Sequence, residues 1–396
     1  MLFPWNNLYY TIYMKIIADE NIPYVKEAFS TLGEVSLLPG RKMDGASVSD
    51  ADVLLVRSVT EVNEALLEGS RIGFVGTATI GTDHIDQSFL ESRGIGFASA
   101  FGSNANSVAE YVVAALLNLA GRKGFRLRDK AIGVIGVGNI GSRVVRMAEA
   151  LGMTVLQNDP PLKRKTRAPR FLPIDSLFEA DILTLHTPLT MKGRDATYHM
   201  VNERFFDGVK PGSILINTSR GPVVETEALH KAVDYERLSL VVLDVWENEP
   251  HIDTSLLERV TLGTPHIAGY SLDGKANGAE MIYQALCKFL GQEPKWRAKD
   301  SLPPPVPQIE VEVAGRDDED VLREAVGKVY DIERDDAALR EILKVPEAER
   351  GWFFDRRRKE YPIRREFFNT TLILKDGSKD LQRKFAALGF QARRTL

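Results

Sequence analysis

A single cysteine, Cys287, in 396 residues excludes an internal disulfide framework and fits a reducing, cytoplasmic setting. It sits on an apolar helical pattern, so it reads as a buried bystander rather than a nucleophile. Long apolar runs are missing too. The longest candidate, residues 108–120, carries Glu110 and Asn118 and falls short of the roughly 18 residues that span a bilayer. Nor is there an excess of one charge. With 51 basic and 55 acidic side chains the net charge is −4, so no global field recruits nucleic acid or an anionic membrane surface. The six histidines lack a close-spaced ligand pattern, and no metal site is expected. The N-terminal stretch has no basic residue before Lys15 and no small-residue cleavage site, which fails the signal-peptide pattern. Residues 1–13 read as an N-terminal extension outside the fold, or as an arm packed at an oligomer interface.

What the chain does have is concentrated in Ala131 to Asp159. A short apolar run ends at Gly136-Val137-Gly138-Asn139-Ile140-Gly141. A helical pattern follows, with Val144, Val145, Met147, Ala148 and Leu151 on one face, and Gly152 stops it. A second strand begins at Thr154, and Asp159 stands 18 residues after Gly141. Strand, glycine turn, helix, strand and acid in this order are the requirements of a dinucleotide site. The first glycine permits the tight turn, the second lets backbone approach a pyrophosphate, and the third allows close packing of helix on strand. The helix N-terminus offers free N–H groups to phosphate. Asp159 can accept from both ribose hydroxyls and repels a 2′-phosphate, which favours NAD over NADP. The basic run Lys163-Arg164-Lys165 is flanked by Pro160, Pro161 and Pro169 and reads as a solvated loop.

Around this stretch strands and helices alternate from Lys15 to Leu290, the pattern of parallel sheets with helices on both faces. Two long helices, 107–122 and 275–290, bracket the nucleotide stretch, which implies a domain inserted into another. The expected fold is therefore α/β, with two doubly wound parallel-sheet, Rossmann-like domains. A discontinuous substrate domain covers 14–115 and 273–296, and an NAD-binding domain covers 116–272. Beyond the proline-rich linker Ser301-Leu302-Pro303-Pro304-Pro305-Val306-Pro307, strand and helix patterns predict an α+β domain over 300–396. Its basic run Arg356-Arg357-Arg358-Lys359 is interrupted or flanked by Asp355, Glu360 and Glu366. That run reads as a solvated or subunit-facing surface, not a nucleic-acid patch.

Polar residues that can do chemistry lie just past expected strands: Arg220 in NTSRG, Glu249 in DVWENEP and His266 in TPHIAGY. Moving a hydride from an alcohol to a nicotinamide needs a base for the hydroxyl proton, and histidine suits that work near neutral pH. A carboxylate beside it stabilises imidazolium, and an arginine offers a forked donor to a substrate carboxylate. Taken singly, each has a plainer reading as a turn cap, a loop bridge or a satisfied imidazole.

Together these motifs resemble the D-isomer-specific 2-hydroxyacid dehydrogenases over about residues 14–396. The resemblance implies a catalytic set of Arg220, Glu249 and His266. It implies NAD contacts at Gly138, Asn139, Ile140, Asp159, Thr187, Asp244 and Gly269, alongside the turn glycines Gly136 and Gly141. It further implies a small phosphorylated 2-hydroxy acid as substrate, bound by Ser58, Thr79 and Tyr270, and a homodimer made through the C-terminal domain. Arg57, beside Ser58, is either a further phosphate partner or part of a salt bridge within the first domain. Ser103 stands where related chains often carry cysteine. A dehydrogenase of another 2-hydroxy acid and an NAD-sensing corepressor that binds peptides remain the rival readings.

Overall fold

The computed structural model describes residues 14–305 and 308–395; the stretch read as an N-terminal extension lies outside them. The chain divides into two compact units. The first runs up to Asn104 and resumes over Ser271–Pro304, and the second comprises Ala105–Tyr270 and Pro305–Leu396. The second thus interrupts the first in sequence. The boundary differs from the expected break at residue 115, because helix Ala105–Lys123 belongs wholly to the second unit. That helix buries residues on every face, from Val108 to Ala120, and one hydrophobic cluster joins it to the nucleotide sheet and to Val321, Leu322 and Val326.

The first unit holds a sheet of β1 (Lys15–Asp19), β2 (Glu34–Leu38), β3 (Val53–Val56), β4 (Phe74–Thr77) and β5 (Gly96–Ser99). Its order is β2-β1-β3-β4-β5, and every pairing is parallel. The strand order reverses between β1 and β3, and ligands of such sheets gather at the C-terminal ends of strands near such a point. The loops leaving β1, β3 and β4 carry Asp19 to Pro23, Arg57 to Thr60 and Ala78 to His84. Helix Leu272–Leu290 packs on this sheet through Ala276, Ala279, Ile282, Tyr283 and Leu286.

In the second unit β6 (Ala131–Ile135), β7 (Thr154–Asn158), β8 (Ile182–Leu185), β9 (Ser213–Asn217), β10 (Leu238–Leu243) and β11 (Leu262–Gly263) form a parallel sheet. Its order is β11-β10-β9-β8-β6-β7. Strands β8 and β9 are buried at every position, as expected for a parallel sheet covered on both faces. Helix Asn139–Ala150 buries Val144, Val145, Met147 and Ala148, four of the five residues assigned to its apolar face. The C-terminal segment adds a small parallel sheet of β12 (Ile309–Glu312), β13 (Thr371–Lys375) and β14 (Gln391–Thr395).

Two local expectations need correction. The basic run at residues 163–165 is not a loop but part of helix Pro160–Thr166, with Asp159 as N-cap and proline in its first turn. Proline there loses no hydrogen bond, because the first N–H groups of a helix have no partner anyway. The run is nonetheless solvated, since the helix buries no residue. The second concerns the charged stretch at 356–359, which closes helix Glu347–Lys359. Its side chains do not share one environment: Arg356 is half exposed at 51%, whereas Arg358 keeps 16%.

Candidate active site

The residues expected to hold NAD or to react in the second unit lie on segments that leave the C-terminal ends of its parallel strands. Gly136 follows β6, Asp159 follows β7, Thr187 lies just beyond β8, Arg220 beyond β9, Asp244 follows β10, and His266 lies beyond β11. The strand order reverses between β6 and β8, so the glycine turn and Thr187 flank the switch point.

The turn is built as a cradle. A Cβ on Gly141 would lie 1.9 Å from the Gly136 carbonyl oxygen, so the helix starts in contact with the turn only because glycine is there. A Cβ on Gly138 would meet nothing within 4 Å, which leaves open the backbone face that a pyrophosphate needs. Asn139 and Ile140 open the helix whose N-cap is Gly138. Asp159 accepts from Val137 N–H through Oδ2 at 2.9 Å and from Leu162 N–H through Oδ1 at 2.8 Å. It ties the turn to the end of β7, and a carboxylate keeps further lone pairs for ribose hydroxyls. Thr187 Oγ1 is buried and has no hydrogen-bond partner. A buried hydroxyl left unmatched is costly, and a bound nucleotide is a fitting acceptor or donor for it. The residues present fit a dinucleotide.

Asp244 organises the loop beyond β11. It is buried, and it accepts from Thr264 Oγ1 (2.7 Å), Ile267 N–H (2.7 Å) and Ala268 N–H (2.9 Å). Burial raises its carboxyl above the ordinary range, only partly offset by His266 and these donors. His266 takes a left-handed backbone (φ 56) and donates its own N–H to the Asp244 carbonyl at 2.7 Å. That anchoring aims the imidazole, whose Nδ1 lies 2.8 Å from Glu249 Oε2. Glu249 Oε1 accepts from Trp246 N–H at 2.7 Å. Burial pushes the Glu249 carboxyl up, but the charge and hydrogen bond of His266, the Arg358 guanidinium and the Trp246 N–H together hold it below the usual range. An ionised carboxylate can only accept, so Nδ1 carries the proton and Nε2 is left as the basic nitrogen.

Arg220 reaches this pair through the backbone. A Cβ on Gly221 would lie 1.9 Å from the Trp246 carbonyl oxygen, so the NTSRG and DVWENEP segments touch only because residue 221 is glycine. Asn217 braces the turn, accepting from Ser219 N–H at 3.0 Å and donating to the Arg220 carbonyl at 3.2 Å. The structure therefore brings Glu249 and His266 into direct contact and seats the Arg220 loop against the Glu249 loop. Tyr270 and Gly269 continue from the His266 loop, within the same unit.

Ser58, Thr79 and Arg57 lie in the first unit. Ser58 is exposed and Arg57 partly exposed, on the loop that leaves β3. Thr79 Oγ1 bonds Thr77 Oγ1 at 2.7 Å and the Gly81 carbonyl at 3.1 Å, and Thr77 in turn meets His84 Nε2 at 3.0 Å. At the end of β1 Asp19 is fully buried with Oδ2 unpartnered, while its Oδ1 accepts from Asn21. Ser103 is held through its carbonyl by Asn277 Nδ2 at 3.0 Å, a bond that makes no use of its side chain.

Sequence reasoning missed the contribution of the C-terminal segment. Arg364, buried at 5% exposure, donates from Nη2 to the Ala268 carbonyl and stacks over Tyr330 at 4.4 Å. Tyr361 meets Tyr270 edge to face at 6.0 Å. Arg358 lies over Tyr270 at 5.7 Å. One signal was available: Phe354, fully buried, precedes Arg358 by one helical turn and so marks an inward-facing stripe.

Residues 100–268 match the NAD binding domain of D-isomer specific 2-hydroxyacid dehydrogenases, and residues 302–389 match a domain of unknown function (DUF3410). An erythronate-4-phosphate dehydrogenase of Marinobacter nauticus is 46% identical over 96% of this chain and 99% of its own. One from Klebsiella pneumoniae is 46% identical over 96% and 98%. Among solved structures, a D-lactate dehydrogenase from Aquifex aeolicus, complexed with NAD and lactic acid, superposes with a TM-score of 0.56 at 27% identity. It covers 70% of this chain and 95% of that one. The chain belongs to the erythronate-4-phosphate dehydrogenase family, within the NAD-dependent, D-isomer-specific 2-hydroxyacid dehydrogenases.

Proposed function

We propose that this protein oxidises 4-phospho-D-erythronate to (R)-3-hydroxy-2-oxo-4-phosphobutanoate, a step towards pyridoxal 5′-phosphate. The observation that carries the chemistry is the 2.8 Å contact between His266 Nδ1 and Glu249 Oε2 at the end of a parallel strand. The substrate follows from near full-length likeness to relatives that bear the name erythronate-4-phosphate dehydrogenase.

NAD, when bound at the glycine turn, supplies the hydride acceptor. His266 Nε2 takes the proton of the C2 hydroxyl as the C2 hydrogen leaves with its electron pair, and the C2–O bond becomes a carbonyl. Glu249 holds the imidazole in the tautomer that leaves Nε2 free and steadies the imidazolium that forms. Arg220 binds the C1 carboxylate and polarises the C2 oxygen. Ser58, Thr79 and Tyr270 bind the phosphorylated substrate, with Arg57 as a further partner for its phosphate. Asp244, besides pinning the loop, would help hold the nicotinamide carboxamide, and Gly269 would contact the cofactor.

The protein acts as a homodimer in the cytoplasm. Support for self-association comes from large apolar side chains left open on the C-terminal segment: Trp352 at 61%, Ile363 at 76% and Phe368 at 44% exposure. Among the described residues no helix is long and apolar enough to cross a membrane. The deciding experiment follows NADH formation over a panel of phosphorylated and plain 2-hydroxy acids. The highest kcat/KM is expected with 4-phospho-D-erythronate. Preference for 3-phosphoglycerate would move the protein to a neighbouring activity. Sedimentation of the purified chain tests the dimer.

A further inference from the structure

Helix Glu347–Lys359 is seated on the segment that follows Glu249. A Cβ on Gly351 would lie 2.6 Å from the His251 ring, and Arg350 Nη1 donates to Thr254 Oγ1 at 2.9 Å. From this seat the helix buries Phe354 and, one turn on, directs Arg358 inward. The guanidinium carbon lies 5.7 Å from the Tyr270 ring centre. Among the described residues its one ion pair by distance, Nη1 to Asp355 Oδ1, is long at 3.8 Å, and the side chain is 16% exposed. Nε is buried with no hydrogen-bond partner. Arg356, two positions earlier, also overlies a ring, that of Trp352, but it is 51% exposed and its Nε meets Glu360 at 3.0 Å.

Arg358 hydrogen-bonds Tyr270 and feels the Glu249 charge, but an arginine mostly withdrawn from water, with Nε unmatched and its ion pair long, gains from an anion that completes it. Glu249 does not serve as that anion by hydrogen bond: its carboxylate bonds His266 Nδ1 and Trp246 N–H and acts on Arg358 only through its charge. The guanidinium fork matches phosphate oxygens in pairs. Tyr270, which Arg358 overlies, is a residue assigned above to the phosphorylated substrate, whereas Arg220 is assigned to the carboxylate end. We propose that Arg358 is a substrate-binding residue that takes the phosphate group, so that the C-terminal segment contributes directly to substrate specificity. The proposal rests on the reading of the substrate as a phosphorylated 2-hydroxy acid. Burial alone would weaken the charge of Arg358, yet Tyr270, Glu249 and Asp355 keep its pKa above the ordinary arginine value, so the cation is present to bind.

The test compares the wild-type chain with Arg358→Gln and Arg358→Lys, each checked for native circular dichroism. First, inorganic phosphate is titrated calorimetrically into the NAD-loaded proteins. Wild type is expected to bind, Arg358→Gln to lose about 10- to 100-fold in affinity, the loss typical of a charged hydrogen bond, and Arg358→Lys to fall between. Second, kcat/KM is measured on 4-phospho-D-erythronate and on D-erythronate. The ratio between them should fall by a similar factor in Arg358→Gln, mainly through KM of the phosphorylated substrate. Phosphate binding unchanged by the substitution, or an equal loss on both substrates, overturns the proposal, as does a wild type that binds no phosphate. If wild type fails to oxidise 4-phospho-D-erythronate while phosphate binding still depends on Arg358, the assignment of the reaction fails and this one stands.

Discussion

The segment Trp246-Glu247-Asn248-Glu249 sends its two carboxylates to two different histidines, and only one of these pairs lies where chemistry is expected. Glu247 meets His199 Nε2 at 2.6 Å, and Glu249 meets His266 Nδ1 at 2.8 Å. The side-chain exposures nearly match, at 28% and 16% against 31% and 19%. Both carboxyls are held below the ordinary range although burial pushes each of them up. What differs is the setting. His199 is stacked on Tyr198 at 4.0 Å, its N–H donates to the Pro222 carbonyl, and Glu247 also accepts from Thr226 N–H at 3.1 Å. That pair fastens the Arg220 loop and the helix after it. His266 stands beyond the end of β11 on a loop fixed by Asp244, with Arg358 acting on Glu249. A histidine–carboxylate contact is thus not a site by itself; the place of Glu249 and His266 beyond the strand ends, with the Arg358 cation acting on Glu249, is what marks this pair as the candidate.

The largest test of that distinction is a matched pair of substitutions. His266→Gln should lower kcat by about 10²- to 10⁴-fold, the usual worth of a positioned acid–base group, with little change in the KM for NAD. His199→Gln should cost less than about tenfold in kcat while lowering Tm, because a half-buried hydrogen bond to a charged group is worth about 1.5–3 kcal/mol. Equal kinetic losses in the two variants would erase the comparison.

Glu249→Gln comes next, with kcat expected to fall by about 10²-fold because the amide can no longer steady an imidazolium. It also carries a pH signature. The Glu249 carboxyl sits below its ordinary value of 4.5 in the fold, so the unfolded chain binds the proton more readily than the native one. Its ionised form therefore stabilises the fold at pH values above that ordinary value, and this contribution is lost as pH falls through the lowered native pKa. Tm scans should show the Gln variant less stable than wild type from neutral pH down to about 5, with the gap closing in stronger acid. A gap independent of pH would mean that the carboxylate's charge contributes nothing to the fold.

Much of this was legible in the chain because the signals are local. The glycine spacing, the apolar face of helix Asn139–Ala150 and the buried runs of β8 and β9 follow from period and turn chemistry. The pairing of Glu249 with His266 came from likeness to a family, since nothing local links positions 17 residues apart. Other features could not be read. The approach of Gly221 to Trp246 is a contact between loops of neighbouring strands, and glycine there looks like an ordinary turn residue. Arg358 sits in a run of four basic residues, and composition alone assigns such a run to solvent. Only the seat of its helix on His251 turns that one side chain inward.

His186 supplies the smallest and sharpest contrast. Like His266 it follows a parallel strand of the same sheet, but its ring lies between Thr184 Oγ1 at 3.0 Å and Thr218 Oγ1 at 3.1 Å, with no carboxylate of the described residues in contact. Burial lowers its pKa to about 3, which favours the neutral ring across the working range and predicts no part in proton transfer. In the unfolded chain the same ring titrates near 6.5. Between those two values the unfolded state binds the extra proton, and stability rises with pH across that window. His186→Gln should keep kcat and its pH profile close to those of wild type. It should flatten the dependence of Tm on pH between about 4 and 6.5, leaving a small Tm deficit at neutral pH from altered hydrogen bonds. If the kinetic profile moves instead and the acid slope of Tm stays, the two histidines have exchanged the roles that their partners assign them.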